Sequence, residues 1–109
     1  SFAMAEKLGL SAQNLFDITS SSSSQCWAMT SYLPVPGPVP ASPANNDYQP
    51  GFSGAMMAKD MKLARDAAIS SGQKTELADS ALQMYERFLA EGGSSKDFSA
   101  IYNMINNSS

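Results

Sequence analysis

The sequence predicts an all-α domain of about five helices, and three observations carry that prediction. Apolar residues recur at helical spacing, most clearly at Met57, Met61, Ala64 and Ala68 and again at Leu77, Ala81, Leu82, Tyr85, Phe88 and Leu89. No segment of any length alternates apolar with polar residues, so no sheet is expected. Serine precedes and glycine follows most of the periodic stretches, the order in which helix caps occur. With 109 residues, 43% of them hydrophobic, the chain has the size of one domain with a modest core.

Residues 2–8 read as the last turns of a helix that ends at Gly9. A domain seldom opens inside a helix, so the chain is expected to be a fragment. Ser11 is a good N-cap for a short helix carrying Leu15, Phe16 and Ile18. The hydroxyl run 19–24 stops it, because those side chains compete for the backbone. All six prolines lie between Pro34 and Pro50, and their rings exclude a helix interior. Residues 25–50 are therefore expected to form one long irregular loop. Cys26, Trp27, Tyr32, Leu33 and Tyr48 make it too apolar for a solvated linker, so it should pack on the domain or on a partner.

Three helices are predicted after the loop. The first covers residues 53–69, with Met57, Met61, Ala64 and Ala68 on one face and Met56, Leu63 and Ala67 beside them, and it ends at Ser70-Ser71-Gly72. The second covers 76–90 and closes at Gly92-Gly93. The third starts at Ser94 or Ser95, with Asp97 completing an acidic capping box. It carries Phe98, Ile101, Tyr102, Met104 and Ile105, and 106–109 is expected to fray.

Composition narrows the function. Ten acidic against seven basic residues, a pI near 4.6 and no basic stripe argue against nucleic-acid binding, which needs clustered Lys and Arg. One cysteine and no histidine offer neither an internal disulfide nor a zinc site, so no metal is expected and the compartment should be reducing. No apolar run approaches the roughly 18 residues of a membrane-spanning helix, and no signal or transit segment is expected at the start. Without histidine the commonest general base is missing.

Gly51-Phe52-Ser53-Gly54 lies before a helix, where anions can bind, but it completes neither phosphate fingerprint. Cys26, lacking a base, reads as a packed small hydrophobe, and Met56, Met57 and Met61 read as core. Lys59-Asp60 stands out. At 100° per residue Asp60 lies on the side of Met56, Met57 and Ala64, near the apolar stripe, whereas Lys62, Arg65 and Asp66 mark the expected solvent side. A carboxylate near a buried face costs free energy unless it is paired, and such local rule-breaking is typical of sites.

Cys26-Trp27, Tyr32, Pro34-Val35-Pro36-Gly37, Ala44-Asn45-Asn46, Tyr48, Gly51-Phe52, Met57-Ala58-Lys59-Asp60, Leu63-Ala64 and Lys96-Asp97-Phe98-Ser99 together resemble the C-terminal domain of the 3-hydroxyisobutyrate dehydrogenases, within the β-hydroxyacid dehydrogenases. The resemblance covers nearly the whole chain. Leu33 departs from it, standing where the narrower group tends to carry a polar residue.

The resemblance implies a 6-phosphogluconate-dehydrogenase-like C-terminal helical domain with a long Pro-rich loop, spanning residues 1–109. It would serve substrate binding and dimerisation behind an N-terminal Rossmann NAD-binding domain. It further implies NAD as cofactor, 3-hydroxyisobutyrate as substrate, methylmalonate semialdehyde as product in valine breakdown, and a homo-oligomer. The location would be the mitochondrial matrix in a eukaryote and the cytoplasm in a bacterium. Lys59 would approach the nicotinamide end of the cofactor, Phe52 would line the cleft, and Asp60 would support the charge network. Asn45 and Asn46 would belong to a loop closing over the site. The family's catalytic lysine lies in a motif upstream of this chain, so the fragment alone is expected to be inactive. Another β-hydroxyacid dehydrogenase, of the tartronate semialdehyde or glyoxylate reductase type, and a non-catalytic dimerisation module are the alternatives.

Overall fold

A computed structural model describes residues 1–108. Among them are six α-helices: α1 Phe2–Lys7, α2 Ala12–Thr19, α3 Trp27–Ser31, α4 Gly54–Ser71, α5 Glu76–Phe88 and α6 Ile101–Asn107. The described residues form no strand, and a lone bridge joins Ser53 to Asp97.

The first stop signal works as read. Gly9, at φ +83°, lets its own N–H reach Glu6 O at 3.0 Å and the Leu10 N–H reach Ala5 O at 2.9 Å, so the last carbonyls of α1 are satisfied. Ser11 caps α2 by accepting from the Asn14 N–H at 3.1 Å. Gly72, at φ +74°, ends α4.

The long loop is less irregular than expected. It holds α3 and a 3-10 turn, Pro43–Asn45, because its prolines begin only at Pro34 and leave Trp27 to Ser31 free to donate backbone hydrogen bonds. It also supplies the core: Leu33, Val35 and Val39 pack with Phe2, and Met29, Leu15, Phe16 and Tyr102 close around them. Burying each of these side chains stabilises the fold by about 1.5–3 kcal/mol. Leu33, only 1% exposed, is a packing residue.

Several expectations are corrected. Cys26 is exposed, since it caps α3 from outside, and Trp27 is 67% exposed. Asp97, not Ser94 or Ser95, caps the last helical segment: its side chain accepts from the Ser99 N–H, and a 3-10 turn, Phe98–Ala100, leads into α6. The end of the chain does not fray at Asn106, because α6 runs to Asn107 and the Asn106 side chain donates to Glu6 at 3.1 Å. Ser109 lies outside the described residues.

α4 buries a different face from the one expected. Gly54 and Ala58 are buried, with Met57, Met61, Arg65 and Ala68 half-buried beside them, whereas Met56 and Leu63 are exposed. The broad apolar stripe is thus split, and Met56 is not core. Arg65 sits on the packed side. Its Nη2 lies 3.7 Å from Asp66 Oδ1, and its Nε is buried without a hydrogen-bond partner among the described residues. α4 packs against α5 through a seat where Gly54, Gly93 and the buried Phe88 ring meet.

Candidate functional site

Ser53 begins α4 by accepting from the Met56 N–H at 3.2 Å, and every residue of interest follows from that start. Residues 94–98 lie across it. The Gly54 N–H donates to Lys96 O at 2.8 Å and the Ala55 N–H to Ser94 O at 3.2 Å. The free donors that would bind an anion at a helix start are therefore already used. This agrees with the missing phosphate fingerprint.

Phe52, half-buried, stands one residue before the cap and meets Phe98 edge to face at 6.0 Å. Lys59 and Asp60 are both exposed, so Asp60 does not press on the buried face of this chain. They flank a strip on the outer side of α4 that includes Met56 and Leu63, 53% and 58% exposed. The ion pairs among the described residues, Arg65–Asp66 and Arg87–Glu91, involve neither of them. Phe52, Lys59 and Asp60 thus share one short segment.

Asn45 and Asn46 lie apart, on the 3-10 turn of the loop and just past it. Asn45 is committed to the loop: its Oδ1 accepts from the Gly37 N–H at 2.9 Å, and its Nδ2 donates to Val39 O at 2.8 Å and Ser42 Oγ at 3.1 Å. Asn46 is exposed.

The most heavily bonded side chain of the region was read from the sequence only as part of a capping box. Asp97 is fully buried. Its Oδ1 accepts from the Tyr32 hydroxyl at 2.6 Å, the Gly51 N–H at 3.0 Å and the Phe52 N–H at 3.1 Å. Its Oδ2 accepts from the Ser99 N–H at 3.0 Å and from the Ser99 hydroxyl. Burial alone would raise its pKa, but these bonds outweigh burial and hold it below 3.8. Burial, with the Asp97 charge adding to it, pushes Tyr32 and Tyr85 up to about 12. The available signal was local: Asp97-Phe98-Ser99, an Asp-x-Ser, fits a short side-chain cap.

Trp27, Tyr32 and Phe98 stack in succession, with ring centroids 5.5 and 5.2 Å apart. An apolar cavity of about 300 Å³ opens beside the stack, lined by Phe2, Tyr32, Tyr85, Phe98, Ile101 and Tyr102 among others. No Lys, Arg or carboxylate side chain lines it, and its polar lining comes from serines and tyrosines. No group of three or more His, Cys, Asp or Glu among the described residues is placed to hold a metal, and no helix among them is long and apolar enough to cross a membrane.

Comparison with known proteins gives this arrangement a family. A family profile described as NAD-binding of NADP-dependent 3-hydroxyisobutyrate dehydrogenase matches residues 1–105. A solved structure of Mycobacterium tuberculosis 3-hydroxyisobutyrate dehydrogenase with L-serine is 49% identical and aligns with a TM-score of 0.90, covering 95% of this chain and 35% of that one. The mitochondrial 3-hydroxyisobutyrate dehydrogenase of Bos taurus is 40% identical over 91% of this chain and 30% of its own length. That of Drosophila melanogaster is 39% identical over 94% and 32%. The chain therefore spans about a third of the length of the relatives it matches. A family match that spans residues 1–105, with a structural match over 95% of the chain, places this chain in the family of the NAD-binding domain of NADP-dependent 3-hydroxyisobutyrate dehydrogenases.

Proposed function

We propose that this chain is the C-terminal helical domain of a nicotinamide-dinucleotide-dependent 3-hydroxyisobutyrate dehydrogenase, which oxidises 3-hydroxyisobutyrate to methylmalonate semialdehyde. The observation that carries the reading is the outer side of α4, where an unpaired Lys59 stands beside exposed apolar residues on the helix that Phe52 introduces. A cation left without a partner on a largely apolar strip suits a second surface that brings negative charge.

The residues present fit the nicotinamide end of a dinucleotide and not its pyrophosphate, because the first N–H groups of α4 are taken. When bound, the oxidised nicotinamide supplies the hydride acceptor. Lys59 contributes positive charge at the cleft edge, Phe52 excludes water from it, and Asp60 supports the charge network of the complete site. Asn45 holds the loop assigned to the border of the site, and Asn46 stands exposed on it. The base that takes the hydroxyl proton belongs to the remainder of the longer protein, as does the Rossmann domain that binds the rest of the cofactor. We assign the outer strip of α4 to contact with that domain. We further assign a homo-oligomer, in the mitochondrial matrix for a eukaryotic source and in the cytoplasm for a bacterial one.

Lys59→Ala in the longer protein tests the site. Activity should fall about tenfold or more, ~1.4 kcal/mol of lost transition-state stabilisation. Stability should change by less than about 0.5 kcal/mol, as for most exposed positions. If the unfolding temperature fell in step with activity, Lys59 would be a structural residue and the reading would fail.

A further inference from the structure

We infer that Asp97 is a positioning residue for the dinucleotide cleft, setting the place of Phe52 through its hold on the Gly51 and Phe52 N–H groups. The inference rests on the reading of Phe52 as a cleft residue and adds to it the group that fixes Phe52 in place.

The two carboxylate oxygens do different work. Oδ1 faces the cleft side and gathers the Tyr32 hydroxyl with the N–H groups of Gly51 and Phe52. Oδ2 faces its own helix start and is bound by Ser99 alone. Backbone bonds run parallel to the Oδ1 arm: the Phe98 N–H donates to Phe52 O at 2.8 Å and the Asp97 N–H to Tyr48 O at 2.9 Å. A buried carboxylate with three donors on one oxygen fixes its neighbours to within a fraction of an ångström, since moving any of them leaves charge unsatisfied. Tyr32 is held in turn by its stacking on Phe98, the ring that Phe52 meets edge to face. Gly51 completes the arrangement, because a Cβ there would lie 2.7 Å from the Tyr32 hydroxyl oxygen.

Separation of the two arms tests this in the longer protein. Tyr32→Phe removes a donor from Oδ1, and Ser99→Ala removes one from Oδ2. Both should lower the unfolding temperature to a similar degree, each by the loss of one hydrogen bond to a charged group. Only Tyr32→Phe should raise KM for the dinucleotide, by about threefold or more with kcat within about twofold, while Ser99→Ala leaves KM unchanged. Asp97→Asn keeps an oxygen for the Oδ1 donors and should hold KM near the parent value; Asp97→Ala should not. If KM rises equally in Tyr32→Phe and Ser99→Ala, or in neither, Asp97 supports the fold only. Phe52→Leu measured alongside separates the two levels. A raised KM there with no effect of Tyr32→Phe overturns the positioning role alone, and an unchanged KM there overturns the cleft reading and this inference with it.

Discussion

At the scale of single residues, Asp97 shows how charge, burial and hydrogen bonding decide a role that spacing does not reveal. The sequence holds six aspartates at scattered positions, and nothing in periodicity separates the one that is fully buried from those on solvated faces. Lys59 and Phe52 enter as candidates through the family resemblance. Asp60 stood out through the expectation that Met56 and Ala64 beside it face inward, and the structure exposes all three. The depressed pKa of Asp97 also has a consequence for stability. Its unfolded value is about 3.9, and in the folded chain the hydrogen bonds outweigh burial and lower it. The folded state therefore binds this proton less tightly, so the stabilisation is present above about pH 3.9 and is lost as pH falls through the folded value. Asp97→Asn should accordingly lose most of its disadvantage in acid. Urea midpoints at a series of pH values should show a gap between the parent and Asp97→Asn that narrows below about pH 4. A gap of constant width would mean that the carboxylate's charge contributes nothing.

At the scale of elements, helix existence was readable and helix seating was not. The stops at Gly9 and Gly72 follow from backbone geometry that glycine alone adopts easily, so both were visible in the sequence. α3 was hidden because the prolines that follow it coloured the whole segment. Gly92-Gly93 was read as a stop, and Gly92, at φ +97°, fills that role inside the wide turn Leu89–Gly93. Gly93 does something else. It is buried against the face of Phe88, where a Cβ would enter the ring's van der Waals envelope. At Gly54 a Cβ would lie 2.7 Å from Gly93 O and 2.8 Å from the Phe88 ring. Alanine at either position should cost about 1–3 kcal/mol through overpacking, read as a drop of about 4–8 °C in unfolding temperature per kcal/mol. The two should respond differently to Phe88→Leu. That change removes the three ring atoms nearest to a Cβ at Gly93, but leaves the carbonyl nearest to a Cβ at Gly54. Phe88→Leu should therefore rescue Gly93→Ala more than Gly54→Ala in a double-mutant cycle. Equal rescue would show that the backbone, not the ring, limits both.

At the scale of the whole molecule, the sequence showed which residues of α4 share a face but not how many faces the helix uses. Periodicity grouped Met56, Leu63 and Ala67 with Met57, Met61, Ala64 and Ala68 into one stripe, whereas the fold half-buries only Met57, Met61 and Ala68 and leaves Ala64 exposed with the others. The difference is physical: a short chain has too little partner surface to cover a broad stripe, so half of it waits for another body. The radius of gyration agrees, at 14.9 Å against about 13 Å for a compact hundred-residue domain. Leu77, 88% exposed, and Trp27 extend the uncovered apolar surface beyond α4. With a net charge of only -3, repulsion between copies is weak and screened beyond about 8 Å at physiological salt. The isolated chain should therefore self-associate as concentration rises, seen as a sedimentation coefficient that increases with loading. Met56→Ser combined with Leu63→Ser should suppress that increase while leaving the helical circular dichroism intact, because neither side chain is part of the buried core. A parent chain that stays monomeric at high concentration would show that the outer strip of α4 is too polar at Lys59 and Asp60 to bind without its complement. In that case the charged pair, rather than the apolar residues between, would set which surface can cover it.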